Sequence, residues 1–280
     1  MSQPGPASPL QPHLATLKEA RYITGDVKIF SVEINDPEAR ANFKYVPGNF
    51  GFLSAFGVGE SAFTFVSVAE RGGPVQFAIR RVGTVSSALH ELDAGATVGV
   101  RGPYGNRFPI EQYRDKDILI IGGGIGMAPL RSLLNLMLDH RDDYGHILVI
   151  NGARSPQDLT FAEDFEIWSK ASRTRLELTV DRGDDNWKGR VALIPAVVDE
   201  LKPSAQNCVA IICGPPIMIK FVVQSLKKLN FGDEQIVTTL EAKMKCGVGK
   251  CARCNVGGKY ICQDGPVFTF AEIAKFIESY

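Results

Sequence analysis

The sequence has no excess of charge of either sign, and it has no long apolar run. Lysine plus arginine and aspartate plus glutamate number 31 each in a chain of 280 residues. This balance gives no electrostatic case for binding nucleic acid or a membrane surface. The chain also lacks the run of about 20 apolar residues that a membrane-spanning helix needs, so we expect no membrane insertion. Its length favours about two domains.

The first fourteen residues, MSQPGPASPLQPHL, contain no apolar run either, and four of them are proline. They are therefore typical neither of a signal peptide nor of a membrane anchor. We interpret residues 1–14 as a flexible tail. Without an export signal we expect a cytoplasmic protein, in which clustered cysteines are more often metal ligands or catalytic groups than disulfides.

Residues 15–112 are predicted to form a β-barrel or a β-sandwich. Short runs suited to strands follow one another between glycine and proline turns: DVKIFSVEI, FGFLSAF, AFTFVSVAE and VQFAIRRV. Regular spacing of this kind is typical of all-β domains. One predicted helix, SSALHEL, interrupts the strands, and the region ends in the turn-rich run GVRGPYGNRF.

Residues 113–235 have a different pattern, in which predicted strands alternate with predicted helices. The strands are DILIIG, HILVINGAR, RLELTVDR and NCVAIIC, and the helices include LTFAEDFEIWSKAS, RVALIPAVVDEL and IMIKFVVQSLKKL. Such alternation indicates a mostly parallel sheet covered by helices on both faces. Residues 236–280 hold a last strand, QIVTTLEA, a cysteine-rich segment and a short C-terminal helix, FAEIAKFIESY.

A glycine-rich loop, GGGIGMAP, joins the strand DILIIG to the helix that follows it. Glycines at such a turn let the backbone approach a phosphate, and the helix N-terminus favours its negative charge. Met127 replaces the last glycine of the G-x-G-x-x-G pattern, so a tight turn without a ligand is the alternative. A second turn, CGPP at 213–216, also ends a strand, and open sheets bind ligands at this edge. Cys213 could equally be a small buried residue.

The runs GVRGPYGNRF, GGGIGMAPLRSLL and CGPP, placed around a β-module, resemble the ferredoxin–NADP reductase superfamily over about residues 15–235. Members pair a flavin-binding β-barrel with a nicotinamide-nucleotide domain. The resemblance implies that four residues approach the nucleotide and that two more lie near the nicotinamide. The first group is Gly123, Gly124, Gly126 and Pro129, and the second is Cys213 and Gly214.

Many members of this superfamily bind flavin through an Arg-x-Tyr-Ser stretch, and the corresponding run here, GESAFTFVS, lacks the arginine. The resemblance leaves four residues of this run as candidates to flank the isoalloxazine or to contact the ribityl and phosphate groups. They are Phe63, Thr64, Phe65 and Ser67. A barrel that binds a substrate without flavin is the alternative.

The flavin pyrophosphate is then expected at RRVGTVSSAL. Gly83 leaves room for close approach, while Ser86, Ser87 and the helix N-terminus offer hydrogen-bond donors. Arg80 or Arg81 is the candidate for the missing positive charge. A phosphate-facing helix suits a dinucleotide, so we expect FAD rather than FMN.

Four of the six cysteines lie within KMKCGVGKCARCNVGGKYICQDGP, with the spacing C-x4-C-x2-C-x7-C. Structural zinc sites usually have two close cysteine pairs separated by a long loop. Plant-type ferredoxins begin with C-x4-C-x2-C, which the first three positions match. The pattern therefore favours a [2Fe–2S] cluster over zinc, with Cys246, Cys251, Cys254 and Cys262 as ligands.

The run MKCGVGKCARCNVGGKYICQDGPVF behind such a reductase core resembles the electron-transfer subunits of multi-subunit oxidoreductases. Examples are the γ subunit of cytosolic nickel–iron hydrogenases (sulfhydrogenases), the dihydroorotate dehydrogenase electron-transfer subunit, the anaerobic sulfite reductase flavoprotein and the NAD-linked partners of heterodisulfide reductases. The resemblance implies electron transfer between NAD(P)H, FAD and a [2Fe–2S] cluster, to or from a partner subunit that carries further redox centres.

A flavin is expected in such a chain because a nicotinamide gives two electrons as hydride, whereas a cluster takes them singly. This chemistry needs no acid or base from the protein, and we assign no catalytic residue. The four histidines lie in the predicted tail or at the ends of elements, not in the motif loops: His13, His90, His140 and His146.

Three alternatives stay open at this point. The chain could serve a dihydroorotate dehydrogenase or a sulfite reductase, it could use flavin and cluster without nicotinamide, or it could be a redox sensor or zinc-stabilised binding module. The nucleotide also stays open, with NAD(H) preferred. Arg154 and Ser155 are candidates to hold a 2′-phosphate, and Asp158 and Asp181 are candidates to bind a ribose hydroxyl.

Overall fold

The computed structural model describes residues 8–277. The predicted tail thus lies outside the described residues over positions 1–7. Its last two residues belong to the first strand, β1 (His13–Tyr22), instead. His13 pairs with Val100 and Leu14 with Gly99, and this ladder supplies partners for backbone groups that a tail would leave to water. The barrel therefore begins two residues earlier than expected.

The N-terminal domain is a six-stranded antiparallel sheet with the spatial order β4-β3-β6-β1-β2-β5. A bridge between Phe65 and Phe77 links its two edges, so the sheet closes into the predicted barrel. After β1 its elements are β2 (Val27–Ile34), α1 (Pro37–Asn42), β3 (Phe50–Ala55), β4 (Gly59–Thr64), β5 (Val75–Arg80), α2 (Thr84–His90) and β6 (Thr97–Tyr104).

Aromatic side chains fill the inside of this barrel. The ring centroid of Phe65 lies 4.4 Å from that of Tyr45 and 5.2 Å from that of Phe77. Phe43 meets Phe65 edge to face at 5.8 Å. Rings at these separations bury large apolar areas and also attract one another. They form a core that belongs to the barrel alone.

The second domain is a seven-stranded sheet with the order β10-β9-β8-β7-β11-β12-β15, parallel except for its last strand, β15 (Val267–Thr269). Ile118 and Ile120 pack on one face, and Leu119 and Ile121 pack on the other, so both faces are covered as predicted. Its elements up to β12 are β7 (Asp117–Gly123), α3 (Met127–Asp139), β8 (Ile147–Ala153), α4 (Phe165–Lys170), β9 (Thr174–Val180), β10 (Arg190–Val191), α5 (Ile194–Leu201), β11 (Cys208–Cys213), α6 (Pro216–Lys228) and β12 (Ile236–Thr239).

Two predicted helices are shorter than the sequence pattern indicated. In RVALIPAVVDEL the first two residues form β10 against β9, and the helix begins at Ile194, next to Pro195 in its first turn. In LTFAEDFEIWSKAS only α4 is α-helical, because Phe161 has a left-handed φ of 62°. No helix within residues 8–277 combines the length and apolarity that crossing a membrane requires.

The C-terminal segment is shared between the two domains. β12 lies beyond the predicted domain end at residue 235, yet it pairs in parallel with β11 inside the nucleotide sheet. β15 then pairs antiparallel with β12, for example Phe268 opposite Thr238. The remaining elements are β13 (Asn255–Val256), β14 (Lys259–Tyr260), α7 (Ile261–Asp264), β15 (Val267–Thr269) and α8 (Phe270–Ile273). The predicted C-terminal helix is therefore one short turn, and residues 278–280 lie outside the described residues.

Candidate functional site

The glycine loop lies between β7 and α3 and packs directly against the CGPP turn. Gly124 has a left-handed φ of 55°, a conformation that glycine adopts without strain. A Cβ on Gly126 would lie 2.5 Å from the carbonyl oxygen of Cys213 and 2.5 Å from the Cα of Gly214. Only a residue without a side chain fits there. The structure therefore brings the two predicted nucleotide-binding turns together at one edge of the sheet.

The residues expected near the nicotinamide lie at this contact, at the end of β11. Cys213 is 4% exposed, and its Sγ lies 3.0 Å from the hydroxyl of Thr239. Burial raises the pKa of the Cys213 thiol to about 12, so it stays protonated at neutral pH and is not a nucleophile. Pro129 lies in the first turn of α3, where its missing N–H costs no helical hydrogen bond.

Two residues that the sequence patterns did not reveal, Thr160 and Asn151, hold the glycine loop through hydrogen bonds. The hydroxyl of Thr160 donates to the Gly124 carbonyl at 3.1 Å, and the Asn151 amide donates to the Thr160 carbonyl at 3.3 Å. Asn151 is fully buried, and its Oδ1 has no hydrogen-bond partner among the described residues. The only sequence signal was the position of Asn151 at the end of a predicted strand.

Arg80, and not Arg81, reaches the crevice between the two domains. The Arg80 Nη2 lies 3.6 Å from the position that a Cβ on Gly124 would occupy. Its Nε lies 3.2 Å from the carboxylate of Asp26, whereas Arg81 pairs with Glu91 at 2.7 Å. Of the two candidates, Arg80 thus lies beside the nucleotide loop, and Arg81 pairs with Glu91 instead.

The predicted pyrophosphate site precedes helix α2. A Cβ on Gly83 would meet no atom within 4 Å, so the glycine does leave open space. Ser86 does not fit its expected role, because its hydroxyl accepts the N–H groups of Val82 and Gly83 at 3.0 and 2.9 Å. That side chain caps the helix. Ser87 and the first backbone N–H groups of α2 remain as candidate donors to a phosphate.

The flavin stretch at the end of β4 is also partly reassigned. Phe63 and Thr64 are half-buried and remain accessible. Phe65 is 1% exposed in the barrel core, since its bridge to β5 turns the ring inward, so it does not flank a ligand. Ser67 shares a hydrogen bond of 2.5 Å with the Tyr45 hydroxyl and accepts the Gln76 N–H at 3.0 Å. Its hydroxyl is therefore engaged inside the barrel.

Arg131 of helix α3 ties the nucleotide domain to this flavin stretch. Its Nη1 donates to the Val66 carbonyl at 3.0 Å, and its Nε lies 2.5 Å from the Asp164 carboxylate. Both charged side chains are nearly buried, so the ion pair is shielded from water. No sequence pattern indicates this contact, because Arg131 lies within a helical run and Val66 within a strand-like run.

The four cysteines of the C-terminal segment lie in one loop and associate in pairs. The Cys251 N–H lies 3.4 Å from the Cys246 Sγ, and the Cys262 N–H lies 3.5 Å from the Cys254 Sγ. Cys251 is exposed, Cys246 is half-buried, and the other two are buried. Within residues 8–277, no set of three or more histidine, cysteine, aspartate or glutamate side chains is arranged to hold a metal ion. Backbone N–H groups thus join Cys251 to Cys246 and Cys262 to Cys254.

Backbone N–H groups point at the sulfur atoms of this loop. Three of them surround the Sγ of Cys246, those of Val248 at 3.5 Å, Lys250 at 3.3 Å and Cys251 at 3.4 Å. The Gly249 N–H lies 3.3 Å from the Cys262 Sγ. Such hydrogen bonds stabilise the thiolates that hold an iron–sulfur cluster, so the loop fits that group. Gly249 adopts a left-handed φ of 71°, which turns the backbone toward the sulfurs.

The same contacts separate the acidities of two of these thiols. Burial raises the pKa of Cys246, but the amide donors outweigh it and lower the pKa to about 6. Burial and the neighbouring sulfur of Cys254 raise the pKa of Cys262 to about 12. The thiolate is the form that binds metal, so the half of the loop at Cys246 is prepared for ligation.

Asn106, from the turn GVRGPYGNRF, fastens the cysteine segment to the barrel. Its side-chain amide donates to the carbonyls of Asp264 and Val267 at 3.0 and 2.7 Å and accepts the Val267 N–H at 2.9 Å. Its backbone N–H donates to the Gly265 carbonyl at 2.6 Å. The turn GVRGPYGNRF, one of the runs on which the family resemblance rests, therefore binds the cysteine segment to the barrel.

The candidates for nucleotide choice lie on two neighbouring loops, those that follow β8 and β9. The Arg154 Nε lies 3.7 Å from the Asp158 carboxylate, and the Ser155 hydroxyl donates to that carboxylate at 2.9 Å. Asp181 follows β9, and its N–H donates to the Ala153 carbonyl at 2.9 Å. All four therefore lie where β8 and β9 end.

A cavity of about 370 Å³ lies at the opposite edge of the nucleotide sheet, with Asp117, His146 and Cys208 among its lining residues. These residues are at the amino ends of the parallel strands. Ligands of open α/β sheets bind at the carboxyl ends, and none of the motif residues lines this cavity. We therefore assign the nucleotide to the glycine-loop crevice.

Three family models match the chain in the order of its domains. The oxidoreductase FAD-binding domain matches residues 14–108, and the oxidoreductase NAD-binding domain matches residues 120–224. The iron–sulfur cluster binding domain of dihydroorotate dehydrogenase B matches residues 241–274.

Whole-chain comparisons give relatives along nearly the full length. Sulfhydrogenase 1 subunit gamma of Pyrococcus furiosus is 38% identical over 273 residues, covering 95% of this chain and 93% of the relative. A probable dihydroorotate dehydrogenase B electron transfer subunit of Methanocaldococcus jannaschii is 34% identical over 272 residues, covering 96% and 94%. The solved NADH-dependent reduced ferredoxin–NADP oxidoreductase, studied for flavin-based electron bifurcation, shares the fold with a TM-score of 0.73 at 23% identity, covering 95% and 93%. The chain belongs to the family of ferredoxin–NADP reductase-like electron-transfer subunits that includes the sulfhydrogenase gamma and dihydroorotate dehydrogenase B electron-transfer subunits, which confirms the resemblance drawn from its motifs.

Proposed function

We propose that this electron-transfer subunit passes electrons between NAD(H), FAD and a [2Fe–2S] cluster, and exchanges them with a hydrogenase or heterodisulfide reductase type of partner. The observation that carries the proposal is the direct contact of the three binding regions within one chain. Arg80 of the barrel lies over Gly124 of the nucleotide loop, and Asn106 of the barrel fastens the cysteine segment. Electron transfer between the sites therefore needs no second polypeptide until the cluster is reached.

A bound flavin exchanges hydride with nicotinamide and single electrons with an iron–sulfur cluster. The residues of the chain bind and orient. Gly124, Gly126 and the N-terminus of α3 receive the nucleotide phosphates, and Arg80 adds a positive charge beside them. Gly83 and the first turn of α2 receive the flavin pyrophosphate. No side chain is assigned a proton-transfer role.

Two observations support a [2Fe–2S] cluster in particular. A [2Fe–2S] cluster has four cysteine ligands, two on each iron, and backbone N–H contacts join the cysteines here two by two. The first three cysteines also have the plant-type ferredoxin spacing. Cys246 and Cys251 would hold one iron, and Cys254 and Cys262 the other.

The exposed edge of this loop supports a docking role. Cys251 is exposed, and residues 242–263 contain five lysines or arginines and no aspartate or glutamate. Lys250 and Arg253 flank Cys251 and are exposed as well. We propose that the partner presents an acidic surface here, because complementary charge steers association.

NAD(H) is proposed over NADP(H) because of the loop after β8. Arg154 already faces the Asp158 carboxylate, and that carboxylate would repel a 2′-phosphate.

The six free cysteines of the described residues support our proposal of a cytoplasmic location.

The test is a cysteine substitution in the anaerobically purified chain. Cys254→Ala is expected to abolish the iron–sulfur bands and EPR signal, while FAD content and flavin reduction by NADH survive. Cys251→Ala, at an exposed position, repeats the test without disturbing the core, and Cys208→Ala is the matched control outside the loop. A colourless zinc protein, or loss of flavin reduction with the fold intact, would contradict the proposal.

Dihydroorotate dehydrogenase is the second candidate enzyme, favoured by the family model that matches the cysteine segment. Purification of a tagged chain with its native partners separates the two. We expect NAD reduction by hydrogen or by a dithiol in the purified complex. NAD reduction by dihydroorotate would identify the second candidate instead.

A further inference from the structure

Arg101 on strand β6 is a buried cation between the barrel and the cysteine loop. Its side chain is 3% exposed. Its Nε and Nη2 donate to the Glu60 carboxylate at 2.8 and 2.6 Å, which is a bidentate ion pair. Glu60, on β4, is 33% exposed. The pair therefore belongs to the barrel wall, and its positive end is the better shielded from water.

The rest of the guanidinium faces the cluster segment. Its Nη1 donates to the Cys246 carbonyl at 2.6 Å and to the Tyr104 hydroxyl at 3.1 Å. Its Nη2 also donates to the Lys245 carbonyl at 2.5 Å. An arginine has five N–H donors, and this one uses all of them. Two of the five bind the carbonyls of Cys246, the first cysteine ligand, and of Lys245, the residue before it.

Aromatic rings hold the guanidinium in this position. Its Cζ lies 3.7 Å from the ring centroid of Phe52, a cation–π contact. Gly247, directly after the first cysteine, fits against Phe52 and Tyr104, since a Cβ there would lie 3.0 Å from both rings. The charge cannot move away from Cys246 without disrupting this packing.

We propose that Arg101, balanced by Glu60, is a positioning residue for Cys246 that also sets the reduction potential of the cluster. This inference rests on the iron–sulfur cluster of the proposed function. Reduction adds a negative charge to the cluster, so a nearby buried cation stabilises the reduced form and raises the potential. The Glu60 carboxylate opposes this effect. The flavin-binding barrel thereby tunes the electron acceptor that follows the flavin.

The two members of the pair are predicted to shift the potential in opposite directions. The measurement is a redox titration of the EPR signal of the reduced cluster. Arg101→Gln is expected to lower the midpoint potential, because it leaves the Glu60 charge uncompensated. Glu60→Gln is expected to raise it, because it leaves Arg101 uncompensated. Arg101→Lys keeps the charge and is expected to restore the potential toward that of the wild type.

Hydrogen exchange of the loop separates position from charge. Both substitutions of Arg101 remove the fork that binds two carbonyls, so amide exchange over residues 245–249 is expected to rise in both. Arg173→Gln is the matched control, since it removes an exposed arginine that pairs with Asp142 at 3.1 Å in the nucleotide domain. Neither its potential nor its loop exchange is expected to change.

Several results would overturn the inference. Shifts of Arg101→Gln and Glu60→Gln in the same direction, or no shift in either, would leave Arg101 without an electrostatic role. If Arg101→Gln fails to fold, Glu60→Gln and Arg101→Lys still decide, because a wild-type potential in the first of them contradicts the proposal. An absent iron–sulfur signal in the wild-type chain would instead refute the proposed function.

Discussion

Gly126 has no room for a methyl group, although its backbone conformation would accept one. A Cβ there would lie 2.5 Å from backbone atoms of Cys213 and Gly214, which cannot rotate away. Gly126→Ala is therefore expected to reduce the free energy of unfolding by about 1–3 kcal/mol. It is also expected to raise the KM for NADH, because the two nucleotide-binding turns must separate. Urea unfolding and steady-state kinetics measure the two effects.

Gly25→Ala is the control for this substitution, since a Cβ on Gly25 would meet no atom within 4 Å. Its free energy of unfolding is expected to change by at most about 0.5 kcal/mol. Equal destabilisation by both substitutions would contradict the role of the contact between the turns, because a Cβ on Gly25 meets no neighbour.

His90 makes the stability of the barrel depend on pH. It is 4% exposed, and its Nε2 lies 2.9 Å from the Ile79 carbonyl. Its Nδ1 is buried without a partner among the described residues. Burial lowers the pKa of His90, the Ile79 carbonyl opposes this, and the charges of Lys28 and Arg81 add to the lowering. The folded barrel therefore favours the neutral imidazole.

The sign of the pH effect follows from proton binding. Below a pH of about 6.5 the unfolded chain protonates His90 more fully than the folded chain, so the unfolded state binds more protons. The free energy of unfolding is expected to fall as the pH drops from 7 toward 5, by at most about 1.4 kcal/mol per pH unit from this group. His90→Gln is expected to flatten this slope, and His146→Gln, at an exposed position, is expected to leave it unchanged. Equal slopes in wild type and His90→Gln would refute the assignment.

At the scale of elements, the joint between helix α3 and the barrel depends on the pair Arg131–Asp164. Removing one member leaves a buried charge, so Arg131→Met is expected to cost about 3–5 kcal/mol of unfolding free energy. Asp164→Leu is expected to cost a similar amount. The double substitution is expected to cost clearly less than the sum, because no unpaired charge remains. Denaturant unfolding of the four proteins measures this coupling.

An additive double variant would show that the two side chains do not act as a pair. Arg141 offers a comparison, since its guanidinium bonds only to backbone carbonyls in the described residues, including those of Ser172 and Gly145 at 2.6 Å. Arg141→Met has no counter-charge to leave behind. Arg141→Met is therefore expected to lower the free energy of unfolding by less than Arg131→Met does.

An element can be predicted from the sequence where one hydrophobic period continues over several residues. The buried strands β7, β8 and β11 and the helices α3 and α6 have the period and length that such patterns report. Strand β15 has three residues, and β10 has two, so no period can reveal them. They form because the backbone of a neighbouring strand, β9 or β12, supplies their hydrogen-bond partners, and that is a tertiary effect.

The same division holds for the site. The motifs predict the glycine loop, the CGPP turn and the cysteine loop, because glycine and cysteine at fixed spacing reflect local chemistry. Arg101, Asn106 and Arg131 lie far along the chain from the groups that they bind. Phe65 was misassigned because the direction of a strand side chain depends on its register with β5, and the Ser67 hydroxyl is engaged by Tyr45, which lies far along the chain.

At the scale of the molecule, the cysteine segment does not form a module of its own. It adds a strand to the nucleotide sheet and binds the barrel through Asn106, so both domains hold it. We expect release of FAD and bleaching of the cluster to coincide in one thermal transition. Flavin fluorescence and iron–sulfur absorbance, recorded in the same anaerobic scan, measure the two events.

Cys251→Ala tests the opposite possibility, in which the cluster alone keeps the segment folded. Because the strand pairing and the Asn106 contacts remain, we expect amides of β15 to stay protected from hydrogen exchange in that variant. Loss of protection at β15 with an intact barrel would show an independent cluster module.

Strand β15 has a consequence for the order of events during synthesis. A ribosome adds roughly 5–20 residues per second and releases the N-terminal part first, so the barrel strands emerge long before the last strand of the sheet. The residues of β12 pair with β15, which is made later, so Thr239 has no partner on that side until Val267 has been added. The outer edge of β12 therefore stays without backbone partners until β15, on the far side of the cysteine loop, has been made.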